Sequence, residues 1–337
     1  MKKLYKILML LTMSSLVLVG CTSKKIKVGY TVYPVKFLLE KIGGEKVETA
    51  AFSDETMVLR SQLATDYKEI LKDADALFIM GELEPYMDII NQDIADLNPK
   101  IIDLSVKSGV FEFTRFTSVL IDNQKVDVKS NYYENPIFDS IDTYGGDPYL
   151  WLDPITMTSM ANQVRDYLVS HDPDNTDYYN NNFDKLKIEL AYLDANFLAL
   201  RNEDNLRFAT MTPSFGIWQN NYNFSISPII LSKYGVIPTQ QQLELIKVRL
   251  INDGVKYLIV EEQMDQDIKD LADSLSKELN IEQVVLSSLS YRSKNQIDQE
   301  MNYIQIMNEN LTILENLQKE GAEEMENLED TEEDTTE

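Results

Sequence analysis

Tyr179, Phe183, Leu186, Leu190, Leu193, Phe197 and Leu200 fall alternately four and three positions apart, so they form one apolar stripe on one continuous helix. Asp172-Pro173-Asp174-Asn175 supplies the start signal. From Asp174 to Arg201 the spacing predicts a rod of roughly 40 Å, at 1.5 Å per residue. Such a rod is long enough to pack across two lobes. A coiled-coil seam between chains is the competing reading, but the strongly apolar segments on either side favour packing within the chain.

Both flanks alternate strand and helix. Before the rod, Ile26 to Tyr30 reads as a strand, followed by an apolar-faced helix through Phe37, Leu38 and Ile42 that stops at Gly43-Gly44. Strand Val47 to Phe52, helix Asp66 to Asp73, strand Ala76 to Met80, helix Pro85 to Ile90 and strand Ile101 to Leu104 come next. After an interruption the alternation resumes with strands at Phe208 to Met211 and Ser225 to Ile230 and a helix at Gln240 to Asn252. Strand Tyr257 to Val260, helix Asp267 to Leu279, strand Gln283 to Leu286 and a last helix from Asn295 to about Leu317 complete it. This is the signature of parallel α/β sheets. The fold class is therefore α/β, with two lobes of mostly parallel strands joined by one long helix. The expected boundaries are 26–172 for the first lobe, 173–202 for the linking helix and 203–319 for the second lobe.

The ends of the chain differ in character from its middle. Lys2, Lys3 and Lys6 precede an apolar run from Ile7 to Val19, the order of a signal peptide over residues 1–20. The run is shorter than the roughly 20 residues a spanning helix needs. Leu18-Val19-Gly20-Cys21 resembles the bacterial lipobox, in which the cysteine becomes the lipidated first residue. Cys21 is the only cysteine in the chain, and the expectation is an acylated anchor on the extracytoplasmic face of the cell membrane, with residues 21–25 as a tether. Loss of the leader removes three lysines and moves the formal charge from −25 to −28. That surface repels nucleic acid. Ten of the acids lie between Glu320 and Glu337, where no Lys or Arg occurs, and residues 320–337 are expected to form a disordered, solvating tail.

Asp147-Pro148-Tyr149-Leu150-Trp151-Leu152-Asp153-Pro154 is the most specific stretch in the chain. Tyr30-Thr31-Val32-Tyr33-Pro34, Ala74-Asp75-Ala76-Leu77, Leu83-Glu84-Pro85, Ile259-Val260-Glu261 and Tyr303, Met307, Asn310, Leu311 and Leu314 support it in order and spacing. Together they resemble the zinc- and manganese-type solute-binding lipoproteins of ABC importers, over nearly the whole mature chain. The resemblance implies two α/β lobes joined by a long helix, a metal held in the cleft by histidines and carboxylates, and an importer permease as partner. It also implies a receptor rather than an enzyme, and a monomer.

The ligand positions depart from that family. Aligned by their neighbours, the three histidine positions fall on Leu59, Tyr149 and Thr212, and the late carboxylate falls on Ser287. Residues 106–146, where zinc members carry a histidine-rich loop, contain no histidine. The only histidine, His171, precedes Asp172-Pro173 and reads as a surface residue. Zinc sites draw on imidazole, thiolate and carboxylate, so no site with two histidines can be built here. No metal cofactor is expected, although the resemblance implies zinc or manganese. Asp147, Asp153 and Glu261 match family positions that need not be ligands. The alternatives are the same fold binding a neutral small solute, or an adhesin or accessory lipoprotein with a vestigial cleft. No Gly-rich phosphate loop or nucleophile elbow points to catalysis.

Overall fold

The structure is a computed structural model that describes residues 24–109, 111–121, 124–201 and 206–334. The leader and Cys21 lie outside the described residues. No helix among those residues is long and apolar enough to cross a membrane.

The first lobe holds β1 (Ile26–Tyr30), β2 (Val47–Ala51), β3 (Ala76–Ile79) and β4 (Ile101–Asp103), in the order β2-β1-β3-β4 with every pair parallel. The second holds β7 (Arg207–Thr210), β8 (Ser225–Pro228), β9 (Tyr257–Val260) and β10 (Glu282–Val285), in the order β10-β9-β7-β8, again all parallel. Numbered from its own first strand, each sheet has the same order, so the lobes are topological repeats. Val28, Phe78, Leu258 and Ile259 are buried because each sheet is covered on both faces.

Helices α1 (Tyr33–Gly43), α2 (Tyr67–Asp73) and α3 (Asn91–Leu97) cover the first sheet. One core runs through both lobes; a smaller one of Phe52, Ile70, Leu71, Leu77, Ile79, Tyr86 and Ile90 fills the outer face of the first sheet. The helix expected at Pro85 to Ile90 is a run of turns, and α3 begins only at Asn91. Tyr86 and Ile90 are buried there as core anchors, an apolar pattern that three-residue turns satisfy as well as a helix does.

The apolar stripe forms α5 (Thr176–Leu198), entered through a 3-10 turn at Pro173–Asn175 and preceded by α4 (Pro154–His171). At 1.5 Å per residue α5 is about 34 Å long. It reaches both lobes. On one side Lys41 pairs with Glu189 at 2.9 Å and Asn182 donates to the Ile42 carbonyl at 3.0 Å. On the other, Phe197 lies against Trp218 and Tyr222 of α6 (Ile217–Tyr222), at ring separations of 5.4 and 5.2 Å.

The interruption between the halves contains a hairpin, β5 (Arg115–Ile121) with β6 (Gln124–Ser130), paired antiparallel. Sequence placed residues 114–144 with the first lobe, yet they attach to the second. Arg115 pairs with Asp253 at 3.0 Å, Tyr133 donates to the Pro228 carbonyl at 2.9 Å, and the Lys233 amide donates to the Asp142 carbonyl at 2.9 Å. The reason is the edge of the second sheet, where β8 has an open side that the segment covers.

The second lobe adds α7 (Gln240–Asn252), α8 (Gln266–Leu279), α9 (Lys294–Asp298) and α10 (Tyr303–Asp334). The last helix expected from Asn295 is thus broken at residues 299–302. It then continues past Leu317 through most of the stretch expected to be disordered. Glu, Leu, Met and Ala are strong helix formers, and a helix already nucleated on the lobe extends through them at little cost.

Candidate functional site

The carboxyl ends of the two parallel sheets carry matching pairs. In the first lobe Thr31, just after β1, donates its hydroxyl to Glu84, which follows β3. In the second lobe Thr212, after β7, donates to Glu261 Oε1 at 3.2 Å, and Glu261 follows β9 directly. Each pair spans the strands where the order reverses, the point at which open α/β sheets take ligands.

Glu261 is the better satisfied of the two. Its Oε2 accepts from Ser288 at 2.6 Å, Ser288 lies 3.0 Å from the Ser290 hydroxyl, and Thr212 lies 2.8 Å from the Ser214 hydroxyl. Thr212, Ser214, Glu261, Ser288 and Ser290 are all buried. Burial raises the Glu261 carboxyl against the lowering effect of the Ser288 and Thr212 hydrogen bonds. Glu84 and Asp147 are likewise pushed up to about 7, in both cases chiefly by burial.

The eight-residue stretch from Asp147 to Pro154 ties the lobes together. Asp147 accepts from the Tyr149 amide at 3.0 Å, and Asp153 caps α4 by accepting from the Thr156 amide at 2.7 Å and its hydroxyl at 2.6 Å. Trp151 donates its indole N–H to the Ser288 carbonyl at 2.7 Å, while its own carbonyl accepts from Tyr303 at 2.5 Å. Trp218 donates to the Leu152 carbonyl at 2.9 Å. A Cβ on Gly216 would stand 2.3 Å from Asp147 Oδ2, so only glycine lets this backbone approach the carboxyl. The motif thus joins β10's loop, α6 and α10 to the first lobe.

Of the positions aligned with the family ligands, Tyr149 and Thr212 lie in this centre. Tyr149 is buried against Trp151, and its phenol is raised well above its ordinary value by burial first, then by Tyr144, Glu261, Asp147 and Tyr291. Leu59 sits in a 3-10 turn, Val58–Arg60, and its Cβ lies against Gly235 of the second lobe. Its neighbour Arg60 reaches across to Asp265 at 2.9 Å, Asp267 at 2.7 Å and the Gly235 carbonyl at 2.9 Å. Ser287 is placed differently. Its backbone exchanges hydrogen bonds with the Asn310 side chain at 2.9 and 2.8 Å, and Ser288 is the residue that meets Glu261.

Sequence reasoning missed Ser288 and Ser290. Pairing of β10 stops at Val285 and Leu289 adopts φ +57°, so strand alternation gives no guide through this loop. His171 ends α4, exposed and stacked on Tyr167 at 4.0 Å. Among the described residues no group of three or more His, Cys, Asp or Glu side chains is placed to hold a metal ion.

Two parallel-sheet lobes joined by one long helix, with a polar centre at the facing strand ends, define the class: a two-lobed α/β protein with a site between its lobes. The chain belongs to the family described as the periplasmic component A of the zinc-uptake complex, which it matches over residues 28–317. That is a family of solute-binding proteins. The chain is 26% identical over 264 residues to the high-affinity zinc uptake system protein ZnuA of Bacillus subtilis, covering 73% of this chain and 82% of that one. It is 23% identical over 334 residues to the zinc-binding lipoprotein AdcA of Streptococcus pneumoniae, covering 96% of this chain and 63% of AdcA. The chain therefore spans less than two thirds of AdcA's length. Among solved structures, AdcAII of Streptococcus pneumoniae superposes with a TM-score of 0.66 at 16% identity, covering 87% of this chain and 98% of that chain. A crystal structure of ZnuA gives 0.63 at 19%, covering 88% and 98%.

Proposed function

We propose that the chain is a lipid-anchored, extracytoplasmic solute-binding protein of an ABC importer, descended from zinc receptors, whose interlobe centre no longer binds zinc or manganese tightly. The observation that carries this reading is the closed hydrogen-bonded set of Thr212, Glu261 and Ser288 at the facing strand ends. It offers one carboxyl, raised by burial, and otherwise neutral hydroxyls. A zinc ion brought there would lose its water to a site with no imidazole and no thiolate, so its desolvation would be poorly offset. A neutral, hydroxyl-bearing solute or water suits the same donors and acceptors.

Calorimetric titration tests this. No zinc or manganese binding tighter than about micromolar, near −8 kcal/mol, is expected. Stoichiometric nanomolar binding that Glu261→Gln abolishes would overturn the reading. The anchor at Cys21 and an importer permease as partner follow from the family and from the lipobox-like leader. Changing Cys21→Ala is expected to move the protein from the membrane fraction to the soluble one; retention on the membrane would refute the anchor.

A further inference from the structure

A groove of about 430 Å³ opens on the second lobe, lined entirely by residues between Glu261 and Ile313. It lies outside the carboxyl ends of β9 and β10, where parallel sheets present their crevices, and its size falls within the roughly 300–1,000 Å³ of small-molecule sites. Glu261 forms the wall it shares with the interlobe centre, but both Glu261 oxygens are already engaged by Thr212 and Ser288.

Three features of the lining are open to the groove. Glu262 and Glu309 line the same groove, where burial and then the charge of Glu262 raise the Glu309 carboxyl, and among the described residues neither makes an ion pair. Gln296 is only 8% exposed; its Oε1 accepts from the Ser293 amide at 3.0 Å, and its Nε2 has no hydrogen-bond partner among the described residues. Val285, 51% exposed, and Ile313 supply an apolar stretch of wall.

We propose that this groove binds a small aliphatic primary amine that also carries a hydroxyl or carbonyl oxygen. The ammonium group has three donors and no acceptor, which matches a pair of carboxylates and removes their mutual repulsion. The oxygen accepts from Gln296 Nε2, and the carbon chain covers Val285 and Ile313. The site does not depend on the interlobe reading, because no first-lobe residue lines it.

Aminopentanol is a minimal probe, with pentanediol lacking the charge and pentylamine lacking the oxygen. Methyl resonances of Val285 and Ile313 should shift saturably with aminopentanol, less tightly with pentylamine and not with pentanediol. Glu309→Gln and Glu262→Gln, both at exposed positions, should leave the melting temperature unchanged and weaken aminopentanol by about tenfold, near 1.4 kcal/mol. The proposal fails if aminopentanol gives no saturable shift, if pentanediol binds equally well, or if neither glutamine variant weakens binding.

Discussion

Glu84 and Glu261 occupy equivalent places in the two lobes but differ in how their oxygens are used. Both oxygens of Glu261 accept hydrogen bonds, whereas Glu84 Oε1 takes those from Thr31 and the Met80 amide and Oε2 has no partner. Burial disfavours the charged form of a carboxyl whose Oε2 has no partner, and Glu84 is pushed from 4.5 to about 7. Between those values the native state binds more protons than the unfolded one, so the stability this group contributes is complete below 4.5 and is lost as pH rises through about 7. Asp147 acts in the same direction, from its ordinary 3.8 up to about 7. The melting temperature should therefore fall between about pH 5 and pH 8, with Glu84 accounting for roughly 3 kcal/mol. Glu84→Gln keeps an acceptor for Thr31 and the Met80 amide and should flatten that fall; an unchanged slope in differential scanning would refute the assignment. At this scale the sequence was only partly legible. Thr212 and Tyr149, singled out in the sequence, lie at the polar centre, whereas the Ser288 contact with Glu261 sits in a loop with a φ +57° turn at Leu289 that no residue type announces.

Elements were legible wherever burial left one explanation for their pattern. The short runs at Ala76–Ile79 and Tyr257–Val260 are wholly apolar because both faces of a parallel strand are covered, and their expected limits differ from the observed ones by at most a residue. The stripe of α5 is similarly unambiguous, since Tyr179, Leu186, Leu190 and Phe197 are all fully buried. By contrast α4 went unread although Asp153-Pro154 is a strong start signal. Its buried Met157, Met160, Ala161 and Val164 fall at helical spacing, i, i+3, i+4 and i+7, so the period was there to be read. The hairpin is a different case. Val126 and Val128 are partly exposed, so apolar residues there do not mark a covered face.

For the whole molecule, the notable feature is that the chain crosses between lobes more than once. Residues 114–144 leave the first lobe, seat on the second through Arg115, Tyr133 and Tyr144, and return to the interface at Asp147 before α5 makes the later crossing. Gln219 shows how closely the strap is fitted: its amide meets the Thr114 carbonyl at 3.3 Å and the Tyr132 hydroxyl at 3.1 Å, deep beside α6. Arg60 adds a further bridge between the lobes on another side, to Asp265 and Asp267. A second lobe cut off at its own first strand would lack the strap that seats on it. A fragment of residues 203–319 should aggregate or bind hydrophobic dye when produced alone, and become soluble when residues 24–201 are co-expressed beside it. A monodisperse lone fragment would contradict this. A boundary drawn in the sequence between the two sheets therefore parts the second lobe from the strap it is built with.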